Sequence, residues 1–238
     1  MADNTVVRRG LEKGLPGLPA YVPIGEMMTL TIQAKRHGRL QKHVRSATVG
    51  DTEMIQGLLG EIGPQYQGRQ AWQLMPPNDP VSSKSPLPTD YLIFEGKHDH
   101  RGCIALWDQQ ELKQIIIADL APSLRRLRHA INLAAFTTGR PLLPGPGNQL
   151  NMAYASHAAF DLDDSATACA LIAGACAVAS QRGIKLVSTG LPANAPIVPQ
   201  LIRRFKPWVS QSVIYAVSQQ PQSLDLDKRS VWMEIATL

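Results

Sequence analysis

His157 stands three residues before Phe160 in a stretch, 151–160, that reads as an extended strand. Imidazole is the side chain whose ordinary pKa lies nearest neutrality, so a histidine there can act as a general base. Strand alternation puts Asn151, Ala153, Ala155 and His157 on one face, with Tyr154 and Ser156 on the other. Trp107-Asp108-Gln109 ends another strand, where a carboxylate and an amide can meet a substrate. Tyr215, on a strand near the C-terminus, can donate a proton. Each residue also has a bland use: a hydrogen-bonded core histidine, a turn-forming aspartate, an aromatic that simply favours strands.

Metal and thiol chemistry find little support. His98 and His100 flank Asp99 in a connecting loop, but three ligands on one loop rarely close a coordination shell, so no metal is expected. The cysteines are three, Cys103, Cys169 and Cys176, and no C-x-x-C pair occurs. Neither a disulfide framework nor a zinc knuckle follows, and a soluble, cytoplasmic protein of a reducing compartment is expected. Cys169 and Cys176, seven apart, share a helix face and read as small packing residues.

The elements that must hold these side chains follow from periodicity. Val44 to Thr48 is a short strand, and Asp51 or Thr52 caps a helix in which Met54, Ile55, Leu58, Leu59 and Ile62 form one apolar stripe. Residues 63–89, rich in Pro, Gln and Ser, read as a long loop. Strands at Tyr91 to Glu95 and Cys103 to Trp107 form a hairpin, and the isoleucine-rich run Lys113 to Asp119 is a third. Pro122 to Thr138 is a helix with Leu124, Leu127, Ile131 and Leu133 to Ala135 turned inward, stopped by a Gly/Pro loop at 141–147. A helix of small residues runs from Asp163 to Arg182, ended by Gly183, and its axis can lie close to the sheet. Ile184 to Thr189 is a strand and Ile197 to Phe205 a helix; Gln211 to Ser218 and Val231 to Ala236 are closing strands. The fold class is α/β, a mixed central sheet with helices on both faces.

The order and spacing of these pieces over residues 44–238 resemble the GNAT family of N-acetyltransferases. The residues that carry the likeness are Arg45-Ser46-Ala47-Thr48-x-x-Asp51, the stretch from Tyr154 through Arg182-Gly183, and the closing half ending Val231-Trp232-Met233-Glu234-Ile235. The resemblance implies a V-shaped split between two parallel strands that takes acetyl-CoA, its pyrophosphate held by N–H groups at a helix N-terminus. It implies an acyl-CoA-dependent N-acyltransferase, in which a deprotonated amine attacks the thioester. The acceptor, a small-molecule or peptide amine, is not identified. On that reading His157, Asp108 and Tyr215 are the catalytic candidates, and Ala159, Phe160, Ser165, Ala166, Ala168 and Asn194 the cofactor-binding ones.

Several positions depart from the family. Its loop pattern, Arg/Gln-x-x-Gly-x-Gly/Ala, falls on Asp163, Ala166 and Ala168, of which only the last fits. Asp163, with Asp161 and Asp164, brings negative charge to the place of a diphosphate, and Asp163 also reads as the cap of its helix. Leu201 stands where the family's proton-donating tyrosine does, while Asn194 matches a frequent asparagine. A helix and loop intervene between Lys113 and Asn151 where a short hairpin is usual. These departures motivate a second reading, a non-catalytic GNAT-like binding or assembly module.

Charge sets off the N-terminus. The chain of 238 residues carries a net +5, and its first 50 residues hold eight basic and three acidic residues, leaving sixteen of each elsewhere. Aromatic content of 5% gives no stacking ladder among the basic residues, so nucleic acid is not an expected partner. No apolar run reaches the ~20 residues that a membrane helix needs. Residues 1–43 read as an arm and linker preceding the 44–238 domain. Val6-Val7-Arg8-Arg9-Gly10 and the strand at 28–33 parallel Leu201-Ile202-Arg203-Arg204-Phe205 and the strand from Gln211. The arm thus resembles the end of a preceding GNAT-like repeat, and it packs on the body or joins a homo-oligomer.

Overall fold

The computed structural model describes residues 5–14, 17, 19–37, 41–69, 85–96, 101–219 and 226–237. His98, Asp99 and His100, and most of the loop expected at 63–89, lie outside them. Among the described residues seven strands form one sheet: β1 (Ala20–Gln33), β2 (Val44–Ser46), β3 (Tyr91–Glu95), β4 (Arg101–Trp107), β5 (Met152–Ala159), β6 (Leu186–Pro192) and β7 (Trp208–Ser218). Their spatial order is β2-β3-β4-β5-β6-β1-β7. Every neighbouring pair is antiparallel except β5 and β6. Among the described residues five α-helices accompany it: α1 (Thr5–Glu12), α2 (Thr52–Ile62), α3 (Pro122–Thr138), α4 (Ser165–Gln181) and α5 (Val198–Phe205). Among the described residues no helix is long and apolar enough to cross a membrane.

Alternation within the strands builds two cores. Leu92, Ile104 and Leu106 face α4 and α5, while Tyr91, Ile93, Cys103 and Ala105 face Ile55 and Leu59 of α2. The sheet is therefore mixed and covered on both faces. α4 packs close because its residues are small: a Cβ at Gly174 would lie 2.9 Å from Val44 Cγ1. Its buried thiols are inert, since burial pushes Cys176 up to about 12, and Cys103 on β4 likewise.

The N-terminal strand lies inside the sheet. β1 runs antiparallel between β6 and β7, so β7 joins the sheet only through β1. Preceding it, residues 5–12 are helical, like their counterpart at α5.

Four sequence expectations are corrected here. Lys113 to Asp119 is not a strand and makes one bridge, Ile116 to Gln149. β4 already has β3 and β5 on its two sides, so the isoleucine run cannot pair with the strand that precedes it. Val231 to Ala236 is not a strand either; its single bridge is to Gln67. The apolar residues assigned to the inner face of α3 are largely outside: Leu124, Leu127 and Leu133 are exposed, and Ala135 alone is buried. The cap of α4 is Asp164, not Asp163, because the helix begins one residue later than the sequence suggests.

Candidate functional site

The parallel pair β5 and β6 stays hydrogen-bonded for three residue pairs, Met152–Leu186, Ala153–Val187 and Tyr154–Ser188. Beyond Tyr154 the two strands part. The cause lies partly in β5: against β4, Ala105 pairs with Ser156 and Cys103 with Ala159, which leaves one extra residue on β5. This β-bulge is centred on His157, whose φ of 49° lies in the left-handed region. The bulge also corrects the expected alternation. His157 turns to the face of Tyr154, and its ring meets Trp107 edge-on at 5.5 Å, beside the Trp107–Tyr154–Ala236 cluster.

The C-terminal segment closes the gap between the diverging strands. On the β5 side, the His157 N–H donates to Glu234 Oε2 at 2.6 Å. On the β6 side, Trp232 Nε1 donates to the Gly190 carbonyl at 3.0 Å. The fit is tight: a Cβ at Gly190 would collide with Ile235, and one at Gly68 with Met233. Behind it, the Ala236 carbonyl accepts from Gln109 Nε2 at 3.0 Å and Lys113 Nζ at 3.1 Å. The Trp232 ring is edge-on to Tyr66 at 5.0 Å and carries the Arg69 guanidinium 4.0 Å above its face. Arg69 also donates to the Ala158 carbonyl.

Burial governs the electrostatics of this cluster. It lowers the His157 pKa to about 3, with help from the Arg69 charge, so the imidazole is neutral at pH 7. It raises the Glu234 carboxyl, opposed by the N–H groups of His157 and Ala236 and by Arg69. It lowers the Arg69 guanidinium, opposed by Glu234.

The other sequence candidates are spread apart. Asp108 is exposed just past β4 and accepts from the Gln110 N–H at 3.0 Å, the turn-forming use of an aspartate. Tyr215 lies on β7, separated from the split by β6 and β1, and donates to Glu12 Oε1 of α1 at 2.8 Å. His157, Asp108 and Tyr215 are therefore not brought to one point. Ala159 and Phe160 are buried at the end of β5. Ser165, Ala166 and Ala168 form the first turn of α4, and Asn194 is exposed after β6, 3.4 Å from Ser230 Oγ.

The N-terminus of α4 is satisfied from within the chain. Asp164 Oδ1 accepts from the N–H groups of Ala166 at 3.1 Å and Thr167 at 3.0 Å, and Oδ2 from the Thr167 hydroxyl at 2.7 Å. The Ser165 N–H donates to the Asp163 carbonyl at 3.1 Å. Among the described residues no three metal-ligating side chains come together.

Sequence reasoning missed Arg69, Trp232 and Glu234 as members of this cluster. Glu234 did carry a signal, a lone carboxylate in the apolar run Val231 to Ala236 beside a tryptophan. Arg69, in a polar loop, carried none.

No family model and no curated protein matches the sequence. Solved structures do. A GCN5-related N-acetyltransferase from Sphaerobacter thermophilus superposes with a TM-score of 0.52 at 13% identity, over 90% of this chain and 56% of that one. An N-myristoyltransferase of Saccharomyces cerevisiae with bound myristoyl-CoA gives 0.46 at 11% identity, over 89% of this chain and 58% of the other. This chain thus spans less than two thirds of the length of the proteins it resembles. It has the GNAT fold, with the mixed sheet expected from the order of its elements and the split that the family resemblance implied. The residues present do not fit the acyl-CoA that this fold implies. The α4 amides that would hold a diphosphate bind Asp164, with Asp161 and Asp163 beside it, and Glu234 holds the bulge N–H.

Proposed function

We propose that this chain is a GNAT-fold module that acts through its surface, in binding or assembly, rather than by acyl transfer. The observation that carries the reading is the use of the chain's own carboxylates at both groups of backbone donors beside the split. Displacing Asp164 would expose a diphosphate to neighbouring like charges. Displacing the C-terminal segment would strip Trp232 from a buried site, a change on the scale of a large-to-small core substitution, about 3–5 kcal/mol. Three buried thiols, Cys103, Cys169 and Cys176, suit the cytoplasmic location inferred from the sequence. Residues 1–43 serve in this proposal as a strand donor to the 44–238 unit, through β1.

Titration of the full chain with CoA and acetyl-CoA tests the reading. No saturable heat and no shift in melting temperature are expected at millimolar ligand; saturable binding overturns it. A second reading, acetyl transfer from acetyl-CoA to an amine acceptor, draws on the fold and on the bulge N–H of His157, a donor of the kind that stabilises an oxyanion. Turnover of acetyl-CoA with an amine acceptor would support that reading and sink the first.

A further inference from the structure

The sheet has two edges of opposite character. β2 is three residues long with Arg45 at its centre, bonded to Asp51 at 2.8 Å and Glu95 at 2.8 Å. Short length and charge are the usual protection of an edge strand. β7 is eleven residues long, and its sequence, WVSQSVIYAVS, contains no charge and no proline. The uncharged stretch runs on from Pro207 to Leu224. Among the described residues no strand pairs with the outer side of β7.

The residues of β7 also fit a copy of themselves. An antiparallel pairing centred on Val213 sets Val209 against Val217, Ser210 against Ala216, Gln211 against Tyr215 and Ser212 against Ile214. Val209 and Val217 are the two large apolar residues of β7 that are exposed, at 47% and 51%. This register brings those two together on one face, where β-branched cross-strand pairs contribute roughly 0.2–1 kcal/mol each. An isologous contact of this kind closes on itself at two chains. With no charge on either strand, no like charges oppose one another across this register.

We infer that β7 is the interface of a homodimer in which two sheets join edge to edge about Val213. This deepens the assembly reading by naming the surface and the partner. Sedimentation and light scattering of the full chain should give a dimer that dissociates only on dilution. Val213→Lys and Val213→Glu each set like charges directly opposite, so each variant alone should be monomeric with an unchanged melt. Mixing the two should restore a one-to-one dimer, because only this register opposes position 213 to itself. If position 213 does not tolerate charge in the fold, the exposed pair serves instead: Val217→Lys should monomerise and Val209→Glu/Val217→Lys should recover. A monomeric wild-type chain, or a dimer that persists in these single variants, overturns the inference, the latter placing the contact elsewhere, such as the N-terminal arm. The CoA titration stands apart: ligand binding by a β7 dimer would sink the proposed function and leave the interface intact.

Discussion

The N-terminus of α4 and the bulge in β5 solve the same problem at different range. Both present backbone N–H groups beside the split, and both are met by a carboxylate of the chain itself. At α4 the carboxylate is Asp164, two and three residues from its donors. At the bulge it is Glu234, 77 residues from His157. A local cap forms with its helix and reports only on that helix. The distant one requires β5, the Gly68–Arg69 turn and the C-terminal segment to be in place together, so it reports on the whole core.

Trp232→Ala should show the largest effect. The indole is 2% exposed, bonded to Gly190 and packed on Tyr66, Phe160 and Arg69. Truncation should cost about 3–5 kcal/mol in urea melts. It should also speed hydrogen exchange at the His157 amide while leaving the amides of Ala166 and Thr167 protected. Equal acceleration at both places would erase the distinction between local and distant closure.

A second effect depends on pH. The His157 pKa is near 3 in the fold and about 6.5 when unfolded, so below pH 6.5 the unfolded chain binds a proton that the folded one refuses. Stability from this group is complete above 6.5 and falls by about 1.4 kcal/mol per pH unit below it, roughly 2 kcal/mol by pH 5. Glu234 acts in the opposite sense, because its raised carboxyl takes up a proton in the fold first. The difference between wild type and His157→Asn isolates the histidine, and asparagine tolerates the positive φ. A difference that stays flat from pH 7 to 5 would mean that the imidazole is not held away from protons, and that the distant closure is loose.

The same contrast of range explains what the sequence disclosed. α4 was legible because small residues, an aspartate cap and Gly183 all lie within twenty positions. The mixed sheet followed from element order, and the parallel pair at the split from the resemblance to the GNAT family. The place of β1 was not legible: nothing in its alternation says that it lies between β6 and β7. The segment 231–236 looked like a strand because Val231, Met233 and Ile235 alternate with other residues. Its partners, Gly68, His157 and Gly190, are each more than 40 positions away, and they fix it as a wedge. The bulge had no local marker either, since the extra residue exists only relative to β4. His157 was therefore found as a residue and misplaced by one face.

Asp164→Ala should be the mildest change. Losing an N-cap carboxylate costs typically about 1 kcal/mol, and Ser165 cannot take over because it already lies inside the helix. Exchange should quicken at Ala166 and Thr167 and stay slow at His157, the mirror image of Trp232→Ala. The variant also frees two N–H groups and removes one of the three aspartates around them. If CoA then binds at millimolar concentration, the α4 carboxylate alone was excluding the diphosphate. If it still does not, the wedge at Glu234 and Trp232 is the stronger barrier, and the two closures differ in consequence as well as in range.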